Sequence, residues 1–301
     1  MRLYHSRPTE PGYRRRRHGR GFRYLDAEGQ VLRDPGELDR IRALVIPPAW
    51  QDVWICRRGN GHLQAVGTDA AGRRQYLYHA QFRAEQEQAK HGHVLDVAEA
   101  LPALRAVVEG HLSDRGLTRR RVLATAVRLL DLGLFRIGSD RYAEMNDSYG
   151  LTTLLRRRNG GDRLLAYWER HAWHDVSGDE VNAYLEEMSG LDISAKDFRT
   201  WHATVMAAVA LAVSQPVARS ETARRRAIAR AVREVSRYLG NTPAVCRASY
   251  INPRVIELYE EGVTIADALP HLGEEAADGI PATHGLPERA VVRMLRNEER
   301  L

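Results

Sequence analysis

Three short segments carry side chains that could bind an anion and attack it. Arg136 stands in LFRIGSDRYAEMNDSYGLTTL, Leu134 to Leu154, after a long apolar pattern and before a polar loop. Lys196 and Arg199 fall in SAKDFRTWHATV, Ser194 to Val205, one helical turn apart and so on one helix face. In YLGNTPAVCRASYINPRV, Tyr238 to Val255, Asn241 sits at a helix break and Tyr250 follows nine residues later. Arginine forks bind phosphate in a bidentate way. An asparagine amide donates hydrogen bonds, and a tyrosine hydroxyl is a nucleophile once activated. Each residue alone has a plainer use: a surface arginine, a helix-terminating asparagine after Leu239-Gly240, a packing tyrosine.

The elements that must position these residues differ along the chain. Up to Tyr78 the sequence is dense in Gly, Pro and aromatic residues with short β-like runs. Phe22 to Leu32 reads as a hairpin turning near Glu28-Gly29, Asp52 to Gly67 as two strands joined at Gly59-Asn60-Gly61, and Arg73 to His79 as a further strand. From His79 the pattern turns helical. Val94 to Leu112 and Arg119 to Leu134 repeat apolar residues every three or four positions. Ser177 and Glu180 form a capping box for a helix from Asp179 to Met188. Ser194 opens a long helix through Val213, and Thr222 to Leu239 is another, stopped by Gly240. Pro243 fits the first turn of a short helix carrying Tyr250. LTTL, Leu151 to Leu154, reads as strand-like. The expected organisation is α+β: a small β-rich domain over 1–78 and a larger, mainly α-helical domain over 79–301.

Composition narrows the function classes. The 301 residues carry 45 basic and 39 acidic side chains, a net charge of +6 that suits a polyanionic partner. Only Lys90 and Lys196 are lysines, although a coding bias toward arginine gives the same count. The longest apolar run, around Val205 to Val213, is far too short to cross a bilayer, and MRLYHSRPTE is not a secretory signal. Cys56 and Cys246 make neither a disulfide framework nor a metal pair. His171 and His174 form no convincing metal motif, and no Walker loop is present. A cytoplasmic, nucleoid-associated protein without a cofactor or metal is expected.

Together and in this order, the three segments resemble the active-site boxes of type IB DNA topoisomerases of the short bacterial and poxvirus-like kind, whose fold is shared with tyrosine recombinases. The resemblance runs from about Tyr13 to Val255. It implies that Arg136 and Arg199 are the two arginines around the scissile phosphodiester, and that Asn241 stands where poxvirus enzymes have histidine. Tyr250 is implied as the nucleophile that forms a 3′-phosphotyrosyl link. VIPPAWQDVWI (Val45 to Ile55) and HLQAVGTDAAGRRQYLYH (His62 to His79), with the Arg73-Arg74 pair, resemble the family's DNA-clamping domain. There Gln75, Tyr76 and Tyr78 fall on DNA-contact positions, as do Arg141 and Tyr142 beyond Arg136, and Lys196 is added to this set. The implied partner is double-stranded DNA, clamped between the two domains of a monomer and relaxed without ATP.

One part of the family pattern is missing. Relatives carry a general-acid lysine on a β-hairpin between the LTTL segment and the KDFRTW helix. This chain has no lysine between Lys90 and Lys196, and after LTTLLRRRNGG it passes almost at once to LLAYWERHAWHDVSGDEVNAYL. Roughly forty residues of the relatives have no counterpart. Either the protein lacks the hairpin, or a mobile hairpin has been left out of a continuously numbered chain. The survival of Arg136, Arg199 and Tyr250 favours the second. Lys196 could assist protonation and Arg157 could orient the leaving group, but an arginine is a poor acid at neutral pH, its pKa being above about 12. A complete chain without the lysine should bind DNA and cleave slowly or not at all. The rivals are a tyrosine recombinase, whose second box usually opens with histidine where Lys196 stands, and a DNA-binding protein inactive in cleavage.

Overall fold

In the computed structural model, residues 1–133, 136–138, 149–154, 163–274 and 281–296 are described. The chain forms two compact units, Met1–Lys90 and His91–Leu301.

The first unit is built on a five-stranded antiparallel sheet of order β2-β1-β3-β4-β5, with β1 Tyr13–His18, β2 Gly21–Leu25, β3 Gln51–Ile55, β4 Leu63–Thr68 and β5 Arg74–Tyr78. Alternation along β3 sends Val53 and Ile55 to one face, where they meet Tyr13, Ile46, Ala65 and Ile41 of helix α1, Pro35–Ala43. Trp54 goes to the other face and packs with Cys56, Leu63 and Val66. The central strands are therefore buried on both sides, whereas β5 is an edge strand. Gly67 has no room for a side chain, since a Cβ there would lie 2.8 Å from the Trp50 ring. The expected hairpin over Phe22 to Leu32 is present only in short form, with Asp26 N–H on the Gln30 carbonyl and Leu32 N–H on the Tyr24 carbonyl. Its turn has Gly29 at φ +81°, its arms meet at the Leu25–Val31 bridge, and β2 pairs along its length with β1.

Helix α2, Ala80–Leu112, crosses the boundary between the units and starts well before the periodic stretch at Val94. In the second unit, α3 (Arg119–Asp131) is capped by Thr118, and α4 (Gly178–Ser189) carries the full Ser177/Glu180 capping box. Helix α5, Ala195–Ser214, is the centre of this unit: Trp201 and Phe198 are buried along with Ala203, Ala207 and Leu211. A small-residue face lets α6, Glu221–Leu239, pack closely through Ala227, Ala231 and Val235. Then come α7 (Pro243–Ser249), α8 (Pro253–Glu260) and α9 (Leu286–Arg296). Leu151–Thr153 is a 3-10 turn rather than the expected strand, because its amides bond back to Arg136 and Ile137 without a continuing ladder. A two-stranded hairpin follows, β6 Ala166–Glu169 and β7 Ala172–Asp175, turned by Arg170 and His171 at positive φ. No helix among the described residues is long and apolar enough to cross a membrane.

The α9 segment is tied down by charge. Arg105 of α2 forks onto Asp131 at 2.9 and 2.8 Å and onto Glu288 of α9 at 2.6 and 3.0 Å. Glu288 also accepts from the Trp201 indole at 2.8 Å. The Arg105 guanidinium holds both carboxyls below their usual range against the opposing effect of burial. Such a group is costly to break: removing one partner leaves a buried charge without compensation.

Candidate active site

The end of α6 organises the site. Gly240 takes the left-handed conformation at φ +62°, which a side chain would resist, and the Asn241 amide closes back onto the Ser236 carbonyl at 2.9 Å. This leaves the Leu239 and Gly240 carbonyls facing out at the negative end of the helix dipole, where cations are stabilised. Both arginines use them. Arg199 Nη2 donates to the Leu239 carbonyl at 2.6 Å, and Arg136 Nη2 donates to Gly240 at 2.7 Å and Leu239 at 3.3 Å. Two like charges are thus gathered by one helix end.

Each arginine also has its own mount. Arg199 projects from the central helix α5. The Arg136 backbone is held by Leu151, whose N–H donates to its carbonyl at 2.7 Å, and by Thr152, which donates to Ile137 at 2.8 Å. Gly138 and Gly150 touch backbone to backbone there: a Cβ on Gly150 would fall 2.4 Å from Gly138. Asn241 Oδ1 accepts from Arg136 Nη2 at 3.1 Å, which fixes the amide's orientation.

Among the described residues of this cluster, two donors are left over. Arg199 Nε and Asn241 Nδ2 are buried and have no hydrogen-bond partner. A buried donor without an acceptor costs about 1–3 kcal/mol. Burial, and next the Arg136 charge, push the Arg199 guanidinium below its ordinary value, and Tyr250 opposes that shift. The Arg199 guanidinium lies 5.3 Å from the centre of the Tyr250 ring. Tyr250 ends α7, and its surroundings are anchored from α5: Thr204 Oγ1 donates to the Thr200 carbonyl at 2.8 Å, accepts from Asn252 N–H at 3.2 Å and lies 3.3 Å from the Tyr250 carbonyl. Thr204 has no mark in the sequence beyond standing five residues after Arg199. Such a cluster of guanidinium and amide donors can hold a tetrahedral anion beside a phenol.

Arg136, Arg199, Asn241 and Tyr250 are therefore brought together. Lys196 is exposed on α5, one turn before Arg199. Arg141, Tyr142 and Arg157 lie outside the described residues. In the first unit, Tyr76 and Tyr78 project from the same face of β5, both exposed, with rings stacked at 6.2 Å. Gln75 and Arg73 instead both bond Asp69, at 2.9 and 3.0 Å, and Arg74 is exposed.

Described residues on either side of 155–162, where the hairpin lysine of the family pattern is missing, bond to each other. Leu164 N–H donates to the Leu154 carbonyl at 2.8 Å, and Arg163 Nη1 donates to the Thr152 carbonyl at 2.7 Å. The sequence holds no lysine between Lys90 and Lys196, and residues 155–162 of this junction lie outside the described residues.

Comparison with known proteins decides the family. Residues 79–159 and 167–268, more than half of the chain, match the catalytic core of eukaryotic DNA topoisomerase I. The chain is a type IB DNA topoisomerase. Residues 21–69 of this topoisomerase match the N-terminal domain of bacterial DNA topoisomerase IB. It is also 27% identical over 307 residues to a DNA topoisomerase 1B of Acanthamoeba polyphaga mimivirus, covering 85% of this chain and 90% of that protein. The core match breaks at 160–166, inside the junction that lacks the lysine.

Proposed function

We propose that this topoisomerase relaxes supercoiled duplex DNA by transient cleavage of one strand, with Tyr250 as nucleophile and without ATP or a catalytic metal. The observation that carries this reading is the pair of buried, unpartnered donors, Arg199 Nε and Asn241 Nδ2, in the cluster that contains Tyr250. The non-bridging oxygens of a phosphodiester would accept from both. Negative charge grows on those oxygens as the Tyr250 oxygen adds to phosphorus, and fixed donors stabilise it. Tyr250 releases its phenolic proton to solvent, the bond to the 5′-oxygen breaks as the bond to Tyr250 forms, and the leaving oxygen takes up a proton, so the ester energy is kept and the 5′-hydroxyl can reverse the step. Tyr76, Tyr78, Arg74, Lys196, Arg141 and Tyr142 are the proposed duplex contacts.

The absent lysine sets the rate. Without the hairpin lysine, the 5′-oxygen takes its proton from solvent or from Lys196, and a well-placed general acid is worth about 10²–10⁴-fold. Relaxation should be slower than in relatives by a factor of that order. The same absence favours a second reading, a DNA-binding protein that does not cleave. A substrate with sulfur in place of the bridging 5′-oxygen separates the two, because a thiolate leaves without a proton. Covalent trapping of that substrate by the wild-type chain, lost in Tyr250→Phe, supports the topoisomerase site. Binding without trapping establishes the second reading. Relaxation of plasmid DNA in chelator without ATP is the companion assay.

A further inference from the structure

Three segments far apart in sequence converge at a second cluster in the His91–Leu301 unit. Asp131 ends α3, His202 lies on α5 and His284 precedes α9. One potential ligand atom from each lies within 4.8 Å of the other two. All three side chains are more than nine-tenths buried. The imidazole rings stack at 5.5 Å with only 8° between their planes. Both Nε2 atoms are buried without a hydrogen-bond partner, and the His284 Nε2 to Asp131 Oδ1 distance of 4.0 Å is too long for a hydrogen bond.

We infer that Asp131, His202 and His284 form a structural binding site for one divalent cation of the zinc class. Two imidazole nitrogens and one carboxylate oxygen are the donor set that such an ion takes. Calcium and magnesium prefer oxygen ligands throughout. Zinc–ligand bonds of about 2.1 Å in a tetrahedron put donor atoms about 3.4 Å apart. Donors already within 4.8 Å reach this by a small contraction. The Asp131 carboxylate has the outer support typical of a ligand, because Arg105 forks onto it at 2.9 and 2.8 Å. Arg105 is itself balanced by Glu288 as well as Asp131, so the group carries one net negative charge with neutral imidazoles. His284 also lines an open groove of about 950 Å³ with Glu99, Arg128 and Glu288, which gives an ion a way in. The ion would join the C-terminal helix to α3 and to the helix that carries Arg199. Its role is to hold structure, separate from the phosphodiester chemistry.

The test is metal binding by the full chain after stripping with chelator. Titration with Zn²⁺ should give one ion per chain by elemental analysis. Co²⁺ should give the intense visible absorption of a four-coordinate site, and either ion should raise the melting temperature. His284→Gln, a change in the segment before α9, should weaken binding by more than about 100-fold, the most that loss of an outer-shell partner gives. His202→Gln should abolish the Co²⁺ spectrum. His171→Gln, on the exposed β6–β7 turn, should leave the spectrum unchanged. The absence of stoichiometric binding by the wild-type chain overturns the inference and leaves a buried water as the occupant. Binding that survives both His202→Gln and His284→Gln overturns it too, since the ion would then sit elsewhere.

Discussion

On β5 the side chains around the exposed tyrosines satisfy one another: Arg73 and Gln75 both donate to Asp69, and Tyr76 stacks on Tyr78. At the end of α6 the opposite holds. Arg136 and Arg199 both donate to the Leu239 carbonyl, and among the described residues Arg199 Nε and the side-chain amide nitrogen of Asn241 are buried with nothing to bond. A surface that only has to touch DNA can be complete without it. On the proposed function, the β5 surface touches DNA, while the second site stabilises charge that appears during reaction and so holds its donors ready and unmatched, at a cost in stability.

This contrast gives its largest effect at Arg199. Replacing it with alanine removes one of the unmatched donors, so cleavage of the sulfur-bridged substrate should fall about 10²–10³-fold. DNA affinity in a filter-binding assay should change far less. Equal losses in both would show that Arg199 serves binding rather than the transition state. The pair Tyr76→Ala and Tyr78→Ala should behave in reverse. One lost hydrogen bond each, at about 1 kcal/mol, weakens affinity by about 30-fold for the double variant. The single-turnover cleavage rate at saturating enzyme should stay near wild type.

How far the sequence reaches follows the same division. Arg136, Arg199, Asn241 and Tyr250 could be named because their boxes keep their spacing, and α4, α5 and α6 because their caps and apolar periods are local signals. The strand β1 could not be read from pattern: YRRRRH hides its alternation under four arginines, although Arg15 reaches inward to the Ile46, Pro47 and Trp50 carbonyls. The first half of α2 escaped because its exposed residues show no apolar stripe. Asp131, His202 and His284 are separated by long stretches of chain, so only the fold brings them together. That Arg199 keeps one donor free and uses another on Leu239 is likewise a fact of geometry.

Gly240 tests whether the helix end, rather than the arginines alone, builds the site. At φ +62° an added Cβ has space, with Arg136 Nη2 at 3.7 Å as its nearest contact, so the penalty of Gly240→Ala is conformational. It should cost about 1 kcal/mol in unfolding free energy. Cleavage should drop by more than that figure explains if the Leu239 and Gly240 carbonyls position both guanidiniums. A rate loss no larger than that from an exposed mid-helix glycine substitution would show the carbonyls to be incidental.

The smallest effect separates two neighbouring arginines on the edge strand side. Arg74 is exposed, whereas Arg73 is held by Asp69 at 3.0 Å. A phosphate contact releases a counterion, so Arg74→Ala should reduce the slope of log affinity against log salt by about 0.9. Arg73→Ala should leave that slope near wild type, because its guanidinium is engaged in the turn that Asp69 also caps through the Ala71 and Arg73 amides. Its consequence belongs to the turn, and amide exchange over 69–73 should quicken. If the two variants lower the slope equally, pairing within the protein does not decide which arginines meet DNA, and the division between satisfied and unmatched side chains holds only at the catalytic cluster.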